Sequence, residues 1–322
     1  MTLKTWTLLT PQSMGAIAIL QIPACALCQL TNRTQWELGA LYLADIPEID
    51  EVIAVKINED LAQIMPHGGM QILRKLTERF AALDIIQSNT PHYAEAQDEV
   101  EARMLATLAV AQSPLAVELL LQQPSKLRAL NGVMPTEVDM KRAGILNNLI
   151  HPPKVVLLGA PNTGKSTLMN ALTKQDTSIV HELPGATRDA VGARVNCAGL
   201  VVDFYDLPGF RESGDPIEQE AIQLAQYIAA DASLILQIFT TQNELIPLRN
   251  FSQNRFIPQK NLKVSTMADI SKEHCADLCI SAHTGENMDK LALMIRDAIV
   301  PPEILADSGP WFFPGSYSPT DE

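Results

Sequence analysis

The chain has 322 residues, and its 37 acidic residues outnumber 24 basic ones to give a formal net charge of -13. This balance argues against a protein that binds nucleic acid by bulk electrostatics, although a local basic patch for one structured RNA stays open. No apolar run approaches the about 20 residues that span a bilayer, and the N-terminus lacks the pattern of a secretory signal. We therefore expect a cytoplasmic protein of two or three domains with no membrane partner.

Residues 1–90 are predicted to form a small α+β domain. Short apolar runs bounded by turn residues predict its strands, at 6–10, 16–22, 52–57 and 61–65. A stripe of apolar positions over 70–83 then predicts an amphipathic helix. Cys25 and Cys28 form a C-x-x-C pair without a second pair or a nearby His, so we expect small buried side chains and not metal ligands.

Residues 91–152 are predicted to form a short helical region. Apolar spacing predicts helices over 99–110, 114–122 and 136–150, and Thr136 is placed as the N-cap of the last one. Taken alone, this region exposes much of its apolar stripe. We therefore expect it to pack on another domain or on another copy of the chain.

Residues 153–301 alternate strand and helix signals. Strands are predicted at 154–158, 190–197, 200–205, 233–239, 262–266 and 278–281. This alternation predicts an α/β domain with a mostly parallel sheet and helices on both faces. Residues 302–322 are rich in Pro, Gly and Ser and are expected to be a loose tail, with docking of the aromatic run 311–313 as the alternative.

A phosphate-binding loop lies at the start of the α/β domain. Residues 159–166 read G-A-P-N-T-G-K-S, which matches G-x-x-x-x-G-K-[ST] in full, between a predicted strand and a predicted helix. Backbone amides of such a loop cradle phosphates, a role predicted for Asn162, Thr163, Gly164, Lys165, Ser166 and Thr167. Lys165 reaches the outer phosphates and is a catalytic candidate through its charge, and Ser166 is a predicted Mg²⁺ ligand.

The spacing downstream of this loop predicts a nucleotide triphosphate switch. Asp206 ends a strand about 40 residues later, where it can hold Mg²⁺ through water, and Gly209 can meet a γ-phosphate with its amide. Thr187 lies in a loop between the two motifs and is predicted to complete the Mg²⁺ shell only when the γ-phosphate is present. Phe210 takes the position at which Ras-like GTPases carry a water-orienting Gln, so another residue must supply that function.

The base-recognition motif is mixed. Asp269 can accept hydrogen bonds from guanine N1 and the 2-amino group, which adenine lacks. Thr266 and Met267 take the Asn and Lys positions of the usual N-K-x-D pattern. Ser281 and Ala282 fit the next loop, whose backbone amide would meet guanine O6. The predicted base is guanine, read by Thr266, Asp269, Ser281 and Ala282, with reduced affinity.

These residues together resemble the MnmE (TrmE) family of tRNA-modification GTPases. The similarity is strongest over 154–300, where 159–166 reads G-x-P-N-x-G-K-S, 185–189 reads G-[TA]-T-R-D, and 206–212 contains D-x-x-G followed by R-E. Weaker similarity reaches the N-terminus, through Glu59-Asp60 and His67-Gly68-Gly69 among others. The resemblance implies a P-loop GTPase G domain at 153–301, preceded by an N-terminal α+β domain that mediates dimerisation and folate binding.

The resemblance also implies specific roles. Asn162 is the implied K⁺ ligand, at a K⁺-dependent contact that two G domains make transiently. Glu218, nine residues past Gly209, is the implied catalytic residue that orients the attacking water. K⁺ near the phosphates adds positive charge where another protein would otherwise insert an arginine. The implied partners are GTP and GDP, a second copy of the chain, a flavoprotein like MnmG, and tRNA whose wobble uridine is modified.

Departures from the family pattern limit these implications. Met14 replaces an Arg and Gln63 replaces a Glu of the N-terminal motifs, which weighs against a tetrahydrofolate cofactor. The helical region is shortened, and the last residues, Asp321-Glu322, do not carry the family's cysteine motif, so support for MnmG-like and tRNA partners is weak. We expect a shortened, divergent member.

Three functions stay open at this point. The first is a Mg²⁺-dependent GTPase assisted by K⁺ and by G-domain dimerisation. The second is a guanine-nucleotide-binding scaffold or regulator with little turnover and no role in tRNA modification, which the altered residues Thr266 and Met267 favour. The third, an ATPase, is disfavoured by Asp269 and by Ser281-Ala282.

Overall fold

The computed structural model describes residues 4–10, 15–175, 191–206, 231–240, 260–270 and 276–316. Thr187, Gly209, Phe210 and Glu218 lie outside these ranges. The chain divides into two compact units, Met1–Ala106 and Thr107–Glu322. Within the described ranges, no helix combines the length and the apolar character needed to cross a bilayer.

The first unit is built on one mixed sheet. Its strands are β1 (Thr5–Leu8), β2 (Leu20–Pro23), β3 (Leu41–Ile46), β4 (Asp50–Lys56), β5 (Leu61–Met65) and β6 (Ile86–Gln87). They lie in the order β3-β4-β5-β2-β1-β6, and neighbours are antiparallel except for the parallel pair β1 and β6. The helices α1 (Leu27–Leu30) and α2 (Met70–Ala82) accompany this sheet, and Leu76 and Phe80 of α2 are buried in its core.

Strand β3 is absent from the sequence prediction. Its outward positions carry Leu41 and Leu43, which are exposed, while Ala44 and Ile46 face inward. Because both faces of the strand carry apolar side chains, the alternation that identifies a half-buried strand is lost.

The expectation that Cys25 and Cys28 are buried is wrong, since both side chains are exposed.

A helical region follows the first unit along the chain. It comprises α3 (Glu99–Val110), α4 (Pro114–Leu121), α5 (Gln123–Ala129) and α6 (Glu137–Leu146). The predicted N-cap is confirmed, because the Thr136 hydroxyl accepts from the Asp139 amide and the Asp139 carboxylate accepts from the Thr136 amide. Helix α6 ends four residues earlier than predicted, and a 3-10 turn (Asn147–Leu149) follows it.

The second sheet is mostly parallel, as the sequence predicts. Its strands are β7 (Lys154–Leu158), β8 (Val191–Cys197), β9 (Leu200–Asp206), β10 (Leu234–Phe239), β11 (Asn261–Ser265) and β12 (Leu278–Cys279). They lie in the order β12-β11-β10-β7-β9-β8, and only β8 with β9 is antiparallel. The strands β7 and β10 are almost wholly buried, which explains their continuous apolar sequence.

The described part of the same unit contains three further helices. They are α7 (Lys165–Gln175), α8 (Met288–Ile299) and α9 (Pro302–Ala306). Helix α7 begins directly after the loop that follows β7. Because the parallel strands end at one edge of the sheet, the loops after β7, β9, β11 and β12 converge there.

The segment after α9 is docked, which contradicts the expectation of a loose tail for residues 307–316. Trp311 is fully buried, its amide donates to Gln123 Oε1 at 2.7 Å, and its ring nitrogen donates to Asn147 Oδ1 at 3.1 Å. Arg142 of α6 donates to the carbonyls of Asp307, Gly309 and Pro310. The aromatic run therefore completes the core of the helical region.

Candidate functional site

The loop between β7 and α7 has a backbone that only small or tolerant residues accept. A side chain at Gly159 would lie 2.3 Å from the Ile238 carbonyl, so this glycine lets the loop pack against β10. Gly164 and Asn162 both have positive φ, +86° and 63° respectively. Asparagine is among the few non-glycine residues that tolerate this region, and Asn162 is exposed.

Lys165, at the first position of α7, holds its charge over this loop. Its Nζ donates to the carbonyl oxygens of Gly159 at 2.9 Å and Ala160 at 3.1 Å. The first amides of any α-helix lack partners within the helix and point toward its N-terminal end, where the helix dipole is positive. The loop, the ammonium group and the helix end thus form an anion site.

The other predicted loop residues take different positions. Thr163 is buried, and its hydroxyl donates to the Ala160 carbonyl at 2.8 Å, so its side chain is committed to the loop itself. Ser166 and Thr167 are exposed in the first turn of α7. The Thr163 amide also donates to the Ala160 carbonyl, at 3.4 Å.

Asp206, the last residue of β9, meets the start of α7. The Ser166 hydroxyl donates to Asp206 Oδ2 at 3.4 Å, whereas Asp206 Oδ1 is buried and has no hydrogen-bond partner among the residues that the structure describes. Burial raises the pKa of Asp206 above its usual value, and the nearby Lys165 charge and the Ser166 hydrogen bond offset only part of this rise. A buried carboxylate oxygen without a partner beside a serine hydroxyl suits a hard cation such as Mg²⁺, which prefers oxygen ligands.

Cation binding at this place does not depend on a cluster of acidic or histidine ligands. Across the described ranges, no three His, Cys, Asp or Glu residues come together as a metal site. Among the described residues, Ser166 and Asp206 offer oxygen ligands to a cation at this place, and water and phosphate oxygens would supply others. Mg²⁺ commonly binds in this way, through one or two carboxylates plus substrate phosphates.

The loop after β11 reaches the phosphate loop directly. Thr266 is buried, and its hydroxyl donates to the Thr163 carbonyl at 2.6 Å. Its amide donates to the Phe239 carbonyl at the end of β10. The sequence predicts Thr266 as a guanine-binding residue, and this contact with the phosphate loop, 103 positions away in sequence, is one that local pattern could not reveal.

Asp269 is held by the loop after β12. A hydrogen bond from the Ser281 hydroxyl lowers the pKa of Asp269 below its usual value. Ser281 is buried and its hydroxyl also accepts from the Thr284 amide at 3.2 Å, while Ala282 follows it half-buried. Asp269 itself is exposed, so its carboxylate is open to a ligand. Met267, two positions before Asp269, adopts a positive φ of 61°.

Comparison of the sequence with known proteins also finds similarity to GTPases. The model of the family described as 50S ribosome-binding GTPase matches residues 154–268. A tRNA modification GTPase MnmE from Sinorhizobium medicae is 27% identical over a match that covers 74% of this chain and 65% of the relative. The corresponding protein of Cereibacter sphaeroides is 28% identical, over 82% of this chain and 60% of the relative. Over most of its length the chain is thus similar to proteins named tRNA modification GTPase MnmE.

A further MnmE, from Methylorubrum populi, is 39% identical but matches only 42% of this chain and 30% of its own length. The chain thus spans less than two thirds of these MnmE relatives. Its second unit contains a P-loop GTPase G domain, as the sequence predicts. The structure brings Lys165, Ser166 and Asp206 to one edge of the sheet, and Thr266 contacts the same loop through the Thr163 carbonyl.

Proposed function

We propose that this chain binds guanine nucleotides and hydrolyses GTP to GDP and phosphate with bound Mg²⁺. The observation that carries the proposal is Oδ1 of Asp206, which is buried and has no partner among the described residues. The same carboxylate is bonded to the hydroxyl of Ser166, the last residue of the phosphate-loop motif. Most buried polar atoms in folded proteins have a hydrogen-bond partner, and a bound cation would supply one for this carboxylate oxygen. Relatives named as GTPases supply independent support.

Each described residue has a distinct task in this proposal. Lys165 neutralises phosphate oxygens, because its ammonium group already lies over the loop carbonyls. Ser166 and Asp206 hold Mg²⁺, which when bound neutralises charge that develops on the phosphates. Ser281 orients the Asp269 carboxylate, which accepts hydrogen bonds from the N1 and 2-amino groups of guanine.

We extend the proposal to four residues on the basis of the family resemblance. Asn162 is the proposed K⁺ ligand, and its exposure and positive φ leave the side chain accessible. Thr187 completes the Mg²⁺ shell, and the Gly209 amide meets the γ-phosphate. Glu218 orients the attacking water.

Hydrolysis measured in K⁺ and in Na⁺ tests this mechanism. We expect faster turnover in K⁺, and a loss of about 100-fold in kcat for Glu218→Ala, as for removal of one transition-state contact. Glu220→Ala is the matched control, because it removes the same side chain two positions away. Equal rates in the two salts, together with a Glu218→Ala variant that matches Glu220→Ala, would contradict the assignments of Asn162 and Glu218.

A scaffold with little turnover is the second candidate function. It is favoured by Thr266 and Met267, which replace the usual Asn and Lys at the base site. This candidate predicts binding of GDP and GTP without multiple turnovers at low protein concentration. Sustained release of phosphate over many enzyme equivalents would exclude it, and tighter binding of ATP than of GTP would exclude both candidates.

We further propose a role in tRNA modification, since relatives that share most of this chain are named for it. A homodimer formed through the N-terminal unit, with transient contact between G domains, would accompany that role. Flavoprotein and folate partners have weaker support because of the shortened helical region and the changes at Met14 and Gln63. Quantifying modified wobble uridine in tRNA after deletion of the gene tests the role, and sedimentation of the full chain with and without GTP tests the dimer.

A further inference from the structure

Thr266 occupies a position between the phosphate loop and the base site. Its hydroxyl oxygen lies 2.6 Å from the Thr163 carbonyl oxygen and 3.4 Å from the Phe239 carbonyl oxygen. Both neighbours are hydrogen-bond acceptors, and the side chain is buried. The short distance to Thr163 shows where the hydroxyl proton is directed.

The number of donor hydrogens on the Thr266 side chain limits how many hydrogen bonds it can donate. A threonine hydroxyl has one hydrogen to donate, and here that hydrogen is used on the phosphate loop. Guanine N7 and O6 are acceptors, so either needs a donor from the protein. An asparagine, which the N-K-x-D pattern has at this position, carries two amide hydrogens and could serve the loop and the base together.

Met267, the next residue, cannot replace the missing donor. Its side chain ends in a thioether, which only accepts weakly. The described group in this loop that is suited to guanine is the Asp269 carboxylate, an acceptor that matches the N1 and 2-amino hydrogens.

We infer that Thr266 positions the phosphate loop and does not read the base, so that guanine is selected at its N1 and 2-amino edge and not at N7. This inference rests on the proposed guanine-nucleotide binding and names how the base is chosen. It makes Thr266 a positioning residue, in contrast to its predicted role in guanine binding.

The contact with the phosphate loop is tested in nucleotide-free protein. Thr266→Val keeps the shape of the side chain and removes the hydroxyl, whereas Thr266→Ser keeps the hydroxyl. We expect faster amide hydrogen exchange over residues 160–168 in Thr266→Val and wild-type exchange in Thr266→Ser, with unchanged exchange in the first unit. Identical exchange in the wild type and Thr266→Val would overturn the positioning role, whether or not the protein binds any nucleotide.

The base-reading claim is tested with three nucleotides, namely GDP, 7-deaza-GDP and IDP, which lacks the 2-amino group. We expect the wild type to bind GDP and 7-deaza-GDP within about twofold, and IDP about tenfold more weakly, since one hydrogen bond to a charged group is lost. Thr266→Asn should bind 7-deaza-GDP about fivefold more weakly than GDP, because its second amide hydrogen then has N7 as a partner. Thr266→Val should weaken GDP and 7-deaza-GDP equally.

Two outcomes separate this inference from the proposed function. Wild-type protein that prefers GDP to 7-deaza-GDP by tenfold would overturn the inference and leave guanine-nucleotide binding intact. Protein that binds none of the three nucleotides would overturn both the proposed function and the statement about N7, and the exchange experiment would still decide the role of Thr266 in the phosphate loop.

Discussion

The environment of Asp206 disfavours the charged form of its carboxyl group in the folded chain but suits a bound cation. Burial raises the pKa of its carboxyl, and one carboxylate oxygen has no hydrogen-bond partner. Since the folded pKa lies above the unfolded one, folding favours the protonated form. The stability that protonation contributes is present below the unfolded pKa of about 3.9 and is lost as the pH rises through the folded pKa.

Replacement of Asp206 by Asn should therefore separate stability from function. At pH 7 and without nucleotide, we expect Asp206→Asn to unfold at a higher urea concentration than the wild type, because no buried charge remains. The difference should close as the pH falls well below about 3.9, where the wild-type carboxyl is protonated in both states. The stabilisation that Mg²⁺ and GDP add by binding should be much smaller in the variant.

Asp203 provides the contrast on the same strand. Its two carboxylate oxygens accept from Arg194 at 2.7 and 3.0 Å, so its charge is paired. Asp203→Asn should lower the urea midpoint at pH 7 while leaving Mg²⁺-dependent stabilisation in place. An Asp206→Asn variant that is destabilised in the same way would contradict the account of Asp206.

Ser281 acts on the base site through Asp269. Its hydroxyl forms a hydrogen bond that lowers the pKa of that carboxyl, and we expect Ser281→Ala to weaken GDP binding about fivefold, the value of one ordinary hydrogen bond. Titration of GDP into both proteins measures this effect. Ser88→Ala, which removes a half-buried hydroxyl in the first unit that bonds to the backbone of Thr90, is the control. Equal GDP affinity in wild type and Ser281→Ala would show that Asp269 needs no such support.

Among the elements, the hairpin of β8 and β9 is tied to the helical region. The Leu115 amide donates to the Gly199 carbonyl at 3.2 Å, and the Ser113 hydroxyl accepts from the Val201 amide at 3.0 Å. Gly199 has a φ of +91°, and a side chain there would lie 2.6 Å from Leu115 Cγ. The start of α4 is thus packed directly on the turn of the hairpin.

Gly199→Ala should therefore destabilise the second unit for two reasons, backbone strain and a clash with Leu115. We expect a loss of about 2–4 kcal/mol in unfolding free energy from urea denaturation. Gly132→Ala is the matched control, because Gly132 has a similar φ of +81° but open space around it, so it reports the strain alone.

Combining Gly199→Ala with Leu115→Ala should recover part of this loss, since the double variant removes the clash and keeps the strain. If Gly199→Ala costs no more than Gly132→Ala, the packing of α4 on the hairpin is not the source of the effect.

At the scale of the whole molecule, the docked segment 307–316 packs on helices that lie more than 150 positions earlier in the chain. Trp311 fills a fully buried position, and both of its polar hydrogens have partners in the helical region. Arg142 binds three backbone carbonyls of the segment, although its Nε is buried without a partner. The helical region is therefore complete only with this segment in place.

Trp311→Ala should cost about 3–5 kcal/mol of unfolding free energy, as for other large aromatic side chains in a core. Trp311→Phe, which keeps most of the ring and loses the bond to Asn147, should cost markedly less. Truncation after Ser316 is the control, because it retains every contact of the docked segment that is described above. A Trp311→Ala protein as stable as the wild type would show that the docking contributes nothing to folding.

Local pattern was sufficient where a segment's own residues decide its conformation. The phosphate loop, the capping box at Thr136 and the buried strand β7 all follow from short stretches of sequence. Strand β3 and helix α5 escaped prediction. In β3 both faces are apolar, and in α5 the chain continues almost directly from α4, with Pro124 near its start.

The sequence by itself predicted the G-domain fold, the phosphate loop and the similarity to MnmE, because each is recognised from short motifs whose residues are adjacent in the chain. Only the tertiary structure decided that Thr266 bonds to the phosphate loop, that Asp206 retains an unpartnered buried oxygen, and that Trp311 is part of a core. The physical reason is that burial and hydrogen-bond pairing depend on segments more than 100 positions apart, which no local pattern records.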